Sequence, residues 1–531
     1  MTPIRMIAAA LAALAVCAPT GAAARAALDV ALVMDASGSM RRTDPMTLRI
    51  PAARMFVDLL DGADRVAVVS FSTSARVLGG LRSLDAAGTA AVEEAVGKVT
   101  SSGAYTNLYK AVSAAADLLE RGGGVEGGER RRRIIVLMSD GKMDVGDPKR
   151  DEALVSKLKD GLVEELKRRS IRVYTIAFTE ESDMALLEEV ARKTGGLFNV
   201  APSDDVFHLV FGSIFESLKE PDMLPIEENT FFVDKAVDEL TVVASKHSPE
   251  THITLVAPGG VEFTAATRDP STRWSVARTF EMITIPDPAD GTWKILFSTE
   301  NNKAYIITRL GIETSLDRLN VMLGEGVPVN AWLEDAGGVV TVPEILDELD
   351  FDLHVSLPDG STEKAELADD GGEGDVEKGD GVFSTVYRPA LTGPYKFRLV
   401  AVSRTFEREK TFSFNVYEPE PAGAEAHGVA HSGGEHGAAA PDRDAPAGGH
   451  DGGHDGEGGG HGEEAPQSDE EPGADSDGGV WSGAVVKFLL INLLAAGAVL
   501  GWLNRRRLGG VREKWASLAA RLAGLVGKKK E

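Results

Sequence analysis

The chain has 531 residues, of which 26% are charged, and its formal net charge is −26 at pH 7. This length exceeds what one hydrophobic core normally supports and predicts about three domains. The acidic balance argues against nucleic acid as a partner. The charge is uneven, because residues 419–480 hold fifteen acids and one base (net −14), whereas residues 504–531 hold nine bases and two acids (net +7).

Residues 1–24 have the pattern of a secretory signal peptide. Arg5 precedes an apolar run from Met6 to Val16, and Ala22-Ala23-Ala24 supplies the small residues of a cleavage site. The only cysteine, Cys17, lies in this segment, so the mature chain would have no disulfide although it is exported. The chain also lacks an Asn-x-Ser/Thr sequon. Both absences favour a bacterial envelope protein over an animal extracellular one.

Residues 27–220 alternate between strand and helix patterns. Largely apolar runs predict strands at Val30–Met34, Val66–Phe71, Ile134–Met138 and Val173–Phe178. Amphipathic patterns predict helices at Ile50–Leu60, Thr89–Val99, Asn107–Leu119, Glu152–Arg169 and Met184–Lys193. Apolar strands separated by helices predict an α/β domain with a doubly wound, Rossmann-like parallel sheet that is covered on both faces.

From residue 228 the apolar period shifts towards two, which predicts two all-β sandwich domains at 228–310 and 311–418. The phase slips between Met282 and Ile283, and we expect a β-bulge there. The two regions also resemble each other. ITLVAPGG at 253–260 is similar to LHVSLPDG at 353–360, and GTWKILFS at 291–298 to GPYKFRLV at 393–400. Both offsets are close to one hundred residues, so we interpret the regions as a tandem pair.

Residues 419–480 are rich in Gly, Ala, Pro, Asp, Glu and His and have almost no apolar bulk, which predicts a disordered acidic stalk. Six of the ten histidines lie in this stretch: His427, His431, His436, His450, His454 and His461. They are typical either of a weak Zn or Ni site or of a solvated linker that tolerates histidine.

Residues 481–503 are predicted to form one transmembrane helix. The apolar stretch from Val485 to Leu503 would span roughly 29 Å as a helix, which is enough to cross a bilayer. Arg505-Arg506-Arg507 follows at once, so residues 504–531 would be a basic cytoplasmic tail and the N-terminal bulk would be extracytoplasmic. The apolar face of this tail suits a helix that lies on the inner leaflet or docks on another protein.

Oxygen-bearing side chains cluster where the predicted parallel strands end. Asp35, Ser37 and Ser39 follow the first strand, Asp140 follows Ile134–Met138, and Thr106 precedes a mid-domain helix. The carboxyl ends of parallel strands share one sheet edge, which is where such sheets bind ligands. Hydroxyl and carboxylate oxygens without His or Cys suit a hard cation, Mg²⁺ first, with Mn²⁺ or Ca²⁺ as alternatives.

These motifs resemble the von Willebrand factor type A (VWA) domain. Asp-x-Ser-x-Ser after the first strand, a Thr before a helix and a later Ser-Asp-Gly match its metal-ion-dependent adhesion site. The resemblance implies that Ser37, Ser39 and Thr106 ligate through hydroxyls, and that Asp35 and Asp140 bind directly or through water. One departure is that Gly103-Ala104-Tyr105 precedes Thr106, where the family often has paired glycines.

The alternative interpretation of these residues is structural. Ser37 or Ser39 would cap the helix that begins near Leu48, and Asp140 would cap a later helix. The sequence has no His-Glu-x-x-His motif, no P-loop and no dinucleotide fingerprint, so we do not expect an enzyme.

A second candidate metal site lies in the stretch DDGGEGDVEKGDGVFS at 369–384. This stretch resembles a loop in the β-sandwich of calcium-activated chloride channel regulators and of some bacterial surface proteins. It does not have EF-hand spacing. Asp370, Asp375 and Asp380 are candidate Ca²⁺ ligands, and a solvated acidic turn is the alternative.

The sequence supports several functions. The leading hypothesis is a membrane-anchored adhesion receptor whose VWA-like domain binds an acidic side chain of a protein partner through Mg²⁺. The first alternative is an envelope assembly or stress factor that docks an intramembrane complex. A channel-regulatory subunit is a further alternative, and it depends only on the family resemblance.

Overall fold

The computed structural model describes residues 27–419, except 123–124, 127–128, 179–181, 336–337 and 373. The predicted signal peptide, nearly all of the acidic stalk, the predicted transmembrane segment and the basic tail lie outside the described residues. Within the described part of the chain, no helix combines the length and the apolar character needed to cross a membrane. The described residues belong to one compact unit, an α/β domain followed by two β regions.

The α/β domain extends from β1 to α8. Its strands are β1 (Leu28–Asp35), β2 (Arg65–Phe71), β3 (Ala75–Ser83), β4 (Val125–Glu126), β5 (Glu129–Arg130), β6 (Arg132–Ser139), β7 (Ile171–Phe178) and β8 (Phe198–Ala201). Its α-helices are α1 (Met40–Thr43), α2 (Arg49–Leu59), α3 (Ala86–Gly97), α4 (Leu108–Arg121), α5 (Pro148–Ser156), α6 (Val163–Arg168), α7 (Met184–Thr194) and α8 (Phe207–Lys219). A π-helical segment, Lys157–Leu162, joins α5 to α6, and a 3₁₀ turn, Asp204–Val206, precedes α8.

The main sheet of this domain has the order β3-β2-β1-β6-β7-β8. The four predicted strands are β1, β2, β6 and β7, and they pair in parallel. The edge strand β3, which the predicted parallel sheet did not include, pairs antiparallel with β2. The sequence pattern missed β3 because most of its side chains are exposed. Every residue of β1 is buried, because helices cover both faces of the sheet at its centre.

The first β region contains β9 (Asp222–Met223), β10 (Thr230–Val233), β11 (Val237–Ser245), β12 (Thr254–Val256), β13 (Glu262–Phe263), β14 (Arg273–Val276), β15 (Phe280–Pro286), β16 (Gly291–Leu296) and β17 (Lys303–Thr308). The second contains β18 (Leu310–Thr314), β19 (Asn320–Met322), β20 (Val327–Asp335), β21 (Gly338–Val339), β22 (Asp350–Ser356), β23 (Thr362–Glu366), β24 (Phe383–Tyr387), β25 (Gly393–Val402) and β26 (Glu407–Tyr417). A short helix, α9 (Pro343–Leu346), lies in the second region. Apart from this helix, the regular structure of both regions is β, as the alternating pattern predicted.

One sheet runs through both β regions, which the prediction of two consecutive sandwiches did not include. The short strand β9 pairs with β17 of the first region and with β26 of the second. The resulting ten-stranded sheet has the order β14-β15-β11-β17-β9-β26-β25-β22-β23, and β19 pairs with β26 beside this path. The chain that leaves the α/β domain therefore joins the two regions through backbone hydrogen bonds.

The expected bulge between Met282 and Ile283 is absent from the described strand β15. That strand pairs with β11 in continuous register from Phe280 to Pro286. Its first five residues are all buried, because one face packs in the first β region and the other packs towards the α/β domain. Burial on both faces explains why the apolar residues do not keep a strict period of two.

The predicted internal repeat has a counterpart in backbone geometry. Gly291 begins β16 with φ = 126°, and a Cβ on it would lie 2.9 Å from Pro258. Gly393 begins β25 with φ = 123°, and a Cβ on it would lie 2.9 Å from Pro358. The same glycine–proline contact therefore closes the corresponding strand pair in each region. An L side chain would be strained at either glycine, whose φ is positive.

A buried carboxylate on α8 connects the α/β domain to both β regions. Glu216 is 2% exposed, and its Oε1 accepts a hydrogen bond from the Tyr305 hydroxyl at 3.1 Å and pairs with Lys303 Nζ at 3.2 Å. Its Oε2 accepts from Lys396 Nζ at 2.8 Å and from Thr411 Oγ1 at 2.9 Å. Burial alone would raise the pKa of Glu216, but Lys303 and Lys396 hold it far below its ordinary value.

Replacing Glu216 by Ala should lower the free energy of unfolding of the full chain by about 2–4 kcal/mol, because two partly buried lysines would lose their counter-charge and the buried Tyr305 and Thr411 hydroxyls would lose their acceptor. Denaturant titration measures this change. The control is Glu164→Ala, which removes only an exposed pair with Lys167 and should hardly change the stability. Equal effects of the two substitutions would contradict the structural role of Glu216.

Candidate metal centre

Three loops meet at the carboxyl edge of the main sheet. Loop 1 (residues 36–48) follows β1 and includes α1, loop 2 (residues 98–107) precedes α4, and loop 3 (residues 140–147) follows β6. Strands β1 and β6 are parallel neighbours, and Met34 lies opposite Met138. The two strands therefore end at the same level, so loops 1 and 3 begin side by side.

Asp140 is the centre of a hydroxyl cluster. Its Oδ1 accepts a hydrogen bond from Ser39 Oγ at 2.8 Å and lies 3.5 Å from Ser37 Oγ. The two serine hydroxyls are 2.9 Å apart, and Thr43 Oγ1 on α1 donates to Asp140 Oδ2 at 2.6 Å. Loop 1 and loop 3 thus converge on one buried carboxylate through three hydroxyl groups.

Asp35 is fully buried where β1 ends. Its Oδ2 accepts a hydrogen bond from Ser139 Oγ at 2.7 Å, and its Oδ1 accepts from the backbone N–H of Ser37 at 2.7 Å. Burial raises the pKa of Asp35 to about 6, although both hydrogen bonds lower it. A buried carboxylate is costly to ionise unless a positive charge compensates it, so Asp35 favours a cation nearby.

Loop 2 is fixed to both other loops by its backbone. The N–H of Gly103 donates to the carbonyl of Ala36 at 2.8 Å, and Thr106 exchanges two backbone hydrogen bonds of 2.9 Å with Asp144. A Cβ on Gly141, next to Asp140, would lie 3.2 Å from Thr106 Oγ1. The buried Thr106 hydroxyl therefore lies on the Asp140 side of the cluster. It does so although this chain lacks the paired glycines that the family often has before this Thr.

A buried ion pair holds loop 1 against loop 2. Arg49 Nη1 lies 2.5 Å from Asp44 Oδ2, and both side chains are completely buried. Arg49 Nη2 donates to the carbonyl of Thr100 at 3.1 Å and to Ser101 Oγ at 2.9 Å. This pair could not be singled out from the sequence, because neither residue lies in a recognisable motif.

The capping interpretation finds no support in the hydrogen bonds. Ser39 occupies the N-cap position of α1, but its side chain makes no capping hydrogen bond. The N-cap position of α2 is Leu48, which has no side-chain cap either. The helix after loop 3 is capped by Asp147, not by Asp140.

The donor set fits a hard divalent cation. The five predicted residues supply hydroxyl and carboxylate oxygens from three loops at one edge, and none supplies nitrogen or sulfur. Mg²⁺ prefers such oxygens, and Mn²⁺ and Ca²⁺ accept them as well. Two supporting residues were missed, Thr43 and Ser139. Ser139 lies in the Ser-Asp-Gly motif, and Thr43 is one helical turn after Ser39, so both positions carried a signal.

The acidic loop of the second β region differs in detail from its prediction. Carboxylate oxygens of Asp369, Asp375 and Asp380 lie within 4.8 Å of one another. Asp369 belongs to this group, and the predicted ligand Asp370 does not. The Oδ1 of Asp370 instead accepts a hydrogen bond from the backbone N–H of Gly372 at 2.8 Å. Binding of Ca²⁺ there stays a prediction, and the histidine-rich stretch lies outside the described residues.

Comparison with family models identifies three segments of the chain. Residues 29–210 match the von Willebrand factor type A domain. Residues 217–311 match a hemicentin galactose-binding domain-like model, and residues 310–408 match the second Ig-like domain of conditioned medium factor. The chain therefore contains a VWA domain over 29–210, and the two later matches fit the predicted β-sandwiches. Comparison with curated protein sequences finds no match.

Several solved structures are similar to this chain. A von Willebrand factor type A protein from Catenulispora acidiphila has 15% identity and a TM-score of 0.31, over 59% of this chain and 64% of that chain. Proximal thread matrix protein 1 from the mussel byssus, with a zinc-occupied MIDAS motif, has 16% identity and a TM-score of 0.29, over 36% of this chain and 48% of that chain. The PilB minor pilin from Streptococcus sanguinis has 17% identity and a TM-score of 0.30, over 36% of this chain and 61% of that chain.

Replacing Thr43 by Val should weaken Mg²⁺ binding about tenfold without abolishing it, because Asp140 would lose the hydroxyl that orients its second oxygen. Isothermal titration calorimetry on the full chain measures the affinity. The matched control is Thr47→Val on the same loop, since Thr47 Oγ1 bonds only the carbonyl of Met46 among the described residues. A Thr43 variant that binds like the control would show that Thr43 does not position Asp140.

Proposed function

We propose that the VWA domain binds a protein partner through a divalent cation, Mg²⁺ in the first place, held by Asp35, Ser37, Ser39, Thr106 and Asp140. The observation that carries this proposal is the convergence of loop 1 hydroxyls on the buried Asp140 carboxylate, with Asp35 buried beside them. VWA domains are typically interaction modules, which supports binding rather than catalysis.

The chemistry of the site favours an acidic partner. Three of the five proposed ligands are neutral hydroxyls, and Mg²⁺ prefers six oxygens. A bound cation would supply a position that a carboxylate from a partner can complete. The protein's own contribution is orientation, because Ser139 and Thr43 fix the two carboxylates by hydrogen bonds of 2.7 Å and 2.6 Å.

The same groups also limit the access of water to the site. Asp35, Ser37, Thr106 and Asp140 are all at most 5% exposed, whereas Ser39 is partly exposed. An opening on the Ser39 side would let a partner's carboxylate approach while the protein ligands remain shielded from water. Electrostatic attraction is stronger in such a site than in bulk water.

Selection from a phage-displayed library of random peptides tests this proposal without a known partner. With the full chain immobilised in Mg²⁺, we expect enriched peptides that all contain Asp or Glu and elute with EDTA. The Asp140→Asn variant should enrich none of them, because the hydroxyl cluster would lose its charged centre.

The control is Asp147→Asn, which lies in the same loop and conserves an N-cap acceptor. It should enrich the same peptides as the wild type. Peptides that bind equally well in EDTA, or that bind the Asp140→Asn variant, would contradict cation-dependent recognition.

We further propose that the chain is a single-pass membrane protein with residues 27–480 outside the cytoplasm, as an adhesion module of a bacterial envelope. The proposal is supported by the sequence alone, through the signal-peptide pattern and the arginines at 505–507. A reporter active only in the cytoplasm, fused after Lys530, should be active, and the same reporter inserted after Pro419 should be inactive. The reverse pattern would contradict this topology.

A further inference from the structure

Three large exposed side chains, one on each loop, lie within two residues of a proposed ligand and form the rim of the metal centre. These side chains are Arg41 on loop 1, Tyr105 on loop 2 and Lys142 on loop 3. None of the three makes a hydrogen bond or ion pair with another described residue. The charges of Arg41 and Lys142 are therefore available to an approaching partner.

Arg41 lies directly beside the proposed ligands. Its Nη2 is 3.3 Å from the point where a Cβ on Gly38 would lie, and Gly38 separates Ser37 from Ser39. The guanidinium group therefore rests against the loop that carries two of the hydroxyls. Lys142 follows Asp140 by two residues and is exposed as well. Two exposed acids, Asp144 and Asp147, follow Lys142 on the same loop, so the positive charge of the rim is concentrated at Arg41.

Tyr105 gives the rim a fixed aromatic surface. A Cβ on Gly146 would lie 2.7 Å from the Tyr105 hydroxyl oxygen and 2.9 Å from Cε1, so the ring packs on the bare backbone of loop 3. Gly146 also has φ = 82°, which favours glycine on conformational grounds. The ring remains 38% exposed immediately before Thr106. It can therefore contact whatever approaches the cation.

The positive charge of Arg41 is opposite in sign to the net charge of the chain. A chain with a net charge of −26 repels an acidic partner, whereas charges at the rim act within a Debye length of about 8 Å at physiological ionic strength. A partner with a single carboxylate, which completes the coordination shell of the cation, would leave Arg41 without an ion-pair partner. An unpaired guanidinium suits a second carboxylate, which it can bind through two parallel hydrogen bonds.

We propose that the partner is an acidic peptide segment with at least two carboxylates, one for the cation and a second for Arg41, with the chain between them packed on Tyr105. This inference is founded on the proposed cation-dependent function and adds the chemistry of the partner. Arg41 thereby becomes a specificity-determining residue that does not touch the cation.

The test uses peptides selected in Mg²⁺ from the phage-displayed library, resynthesised with each acid replaced singly by its amide. Fluorescence anisotropy measures their affinity for the full chain and for Arg41→Gln and Arg82→Gln. Arg82 is the matched control, because it is exposed on β3 opposite Val66, at the far end of the sheet from the metal centre. Calorimetry with Mg²⁺ alone should give the same affinity for all three proteins.

We expect one acid whose replacement abolishes binding and a second whose replacement weakens binding to the wild type about fivefold. That second effect should disappear in Arg41→Gln and persist in Arg82→Gln. Selected peptides that need only one acid would overturn this inference and leave the proposed function intact. The same conclusion would follow if Arg41→Gln weakened binding equally for peptides with and without the second acid. Recovery of no Mg²⁺-dependent peptide would overturn both.

Discussion

The position of β1 at the centre of the sheet is the constraint on which the functional interpretation depends. Both neighbours, β2 and β6, run parallel to β1, and all of its residues are buried. A parallel neighbour on each side directs the following loops to one edge, and burial leaves the terminal Asp35 without solvent to stabilise its charge. The loops supply that stabilisation through Ser139 and the Ser37 backbone, and a cation would complete it.

The two β regions are joined to each other and to the α/β domain that carries this edge. Glu216 brings lysines from both β regions to α8, and β9 joins the two regions into one sheet. The completely buried Arg408 of the second region also pairs with Asp234 of the first, with Nη2 3.1 Å from Oδ1. Buried ion pairs add little net stability, because desolvation offsets their attraction, but breaking one is costly. Such pairs therefore favour one arrangement of the domains over others.

Much of this architecture could be predicted from the sequence. The four apolar strands, and the clustering of Ser37, Ser39 and Asp140 at the ends of two of them, followed from runs and spacings that depend on local physics. The antiparallel strand β3 and the short strand β9 could not be predicted, because one is exposed and the other has two residues and forms only through distant partners. Asp369, and not the predicted Asp370, belongs to the acidic cluster. The conformation of a glycine-rich loop determines which of two adjacent acids approaches the other carboxylates, and the sequence does not show that conformation. The supporting role of Arg49 likewise appears only when loops 1 and 2 are brought together.

The central claim is that these five residues hold a divalent cation. Calorimetric titration of the full chain with Mg²⁺ and Mn²⁺, wild type against Asp35→Asn, tests it most directly. Asparagine has nearly the same shape; its amide oxygen can still accept from the backbone N–H of Ser37, and its amide NH₂ can donate to the Ser139 hydroxyl. The domain should therefore fold while the charge is lost. We predict that the wild type binds both ions and that Asp35→Asn binds neither. A wild type that binds no divalent ion, or an Asp35→Asn variant that binds as tightly as the wild type, would contradict the account.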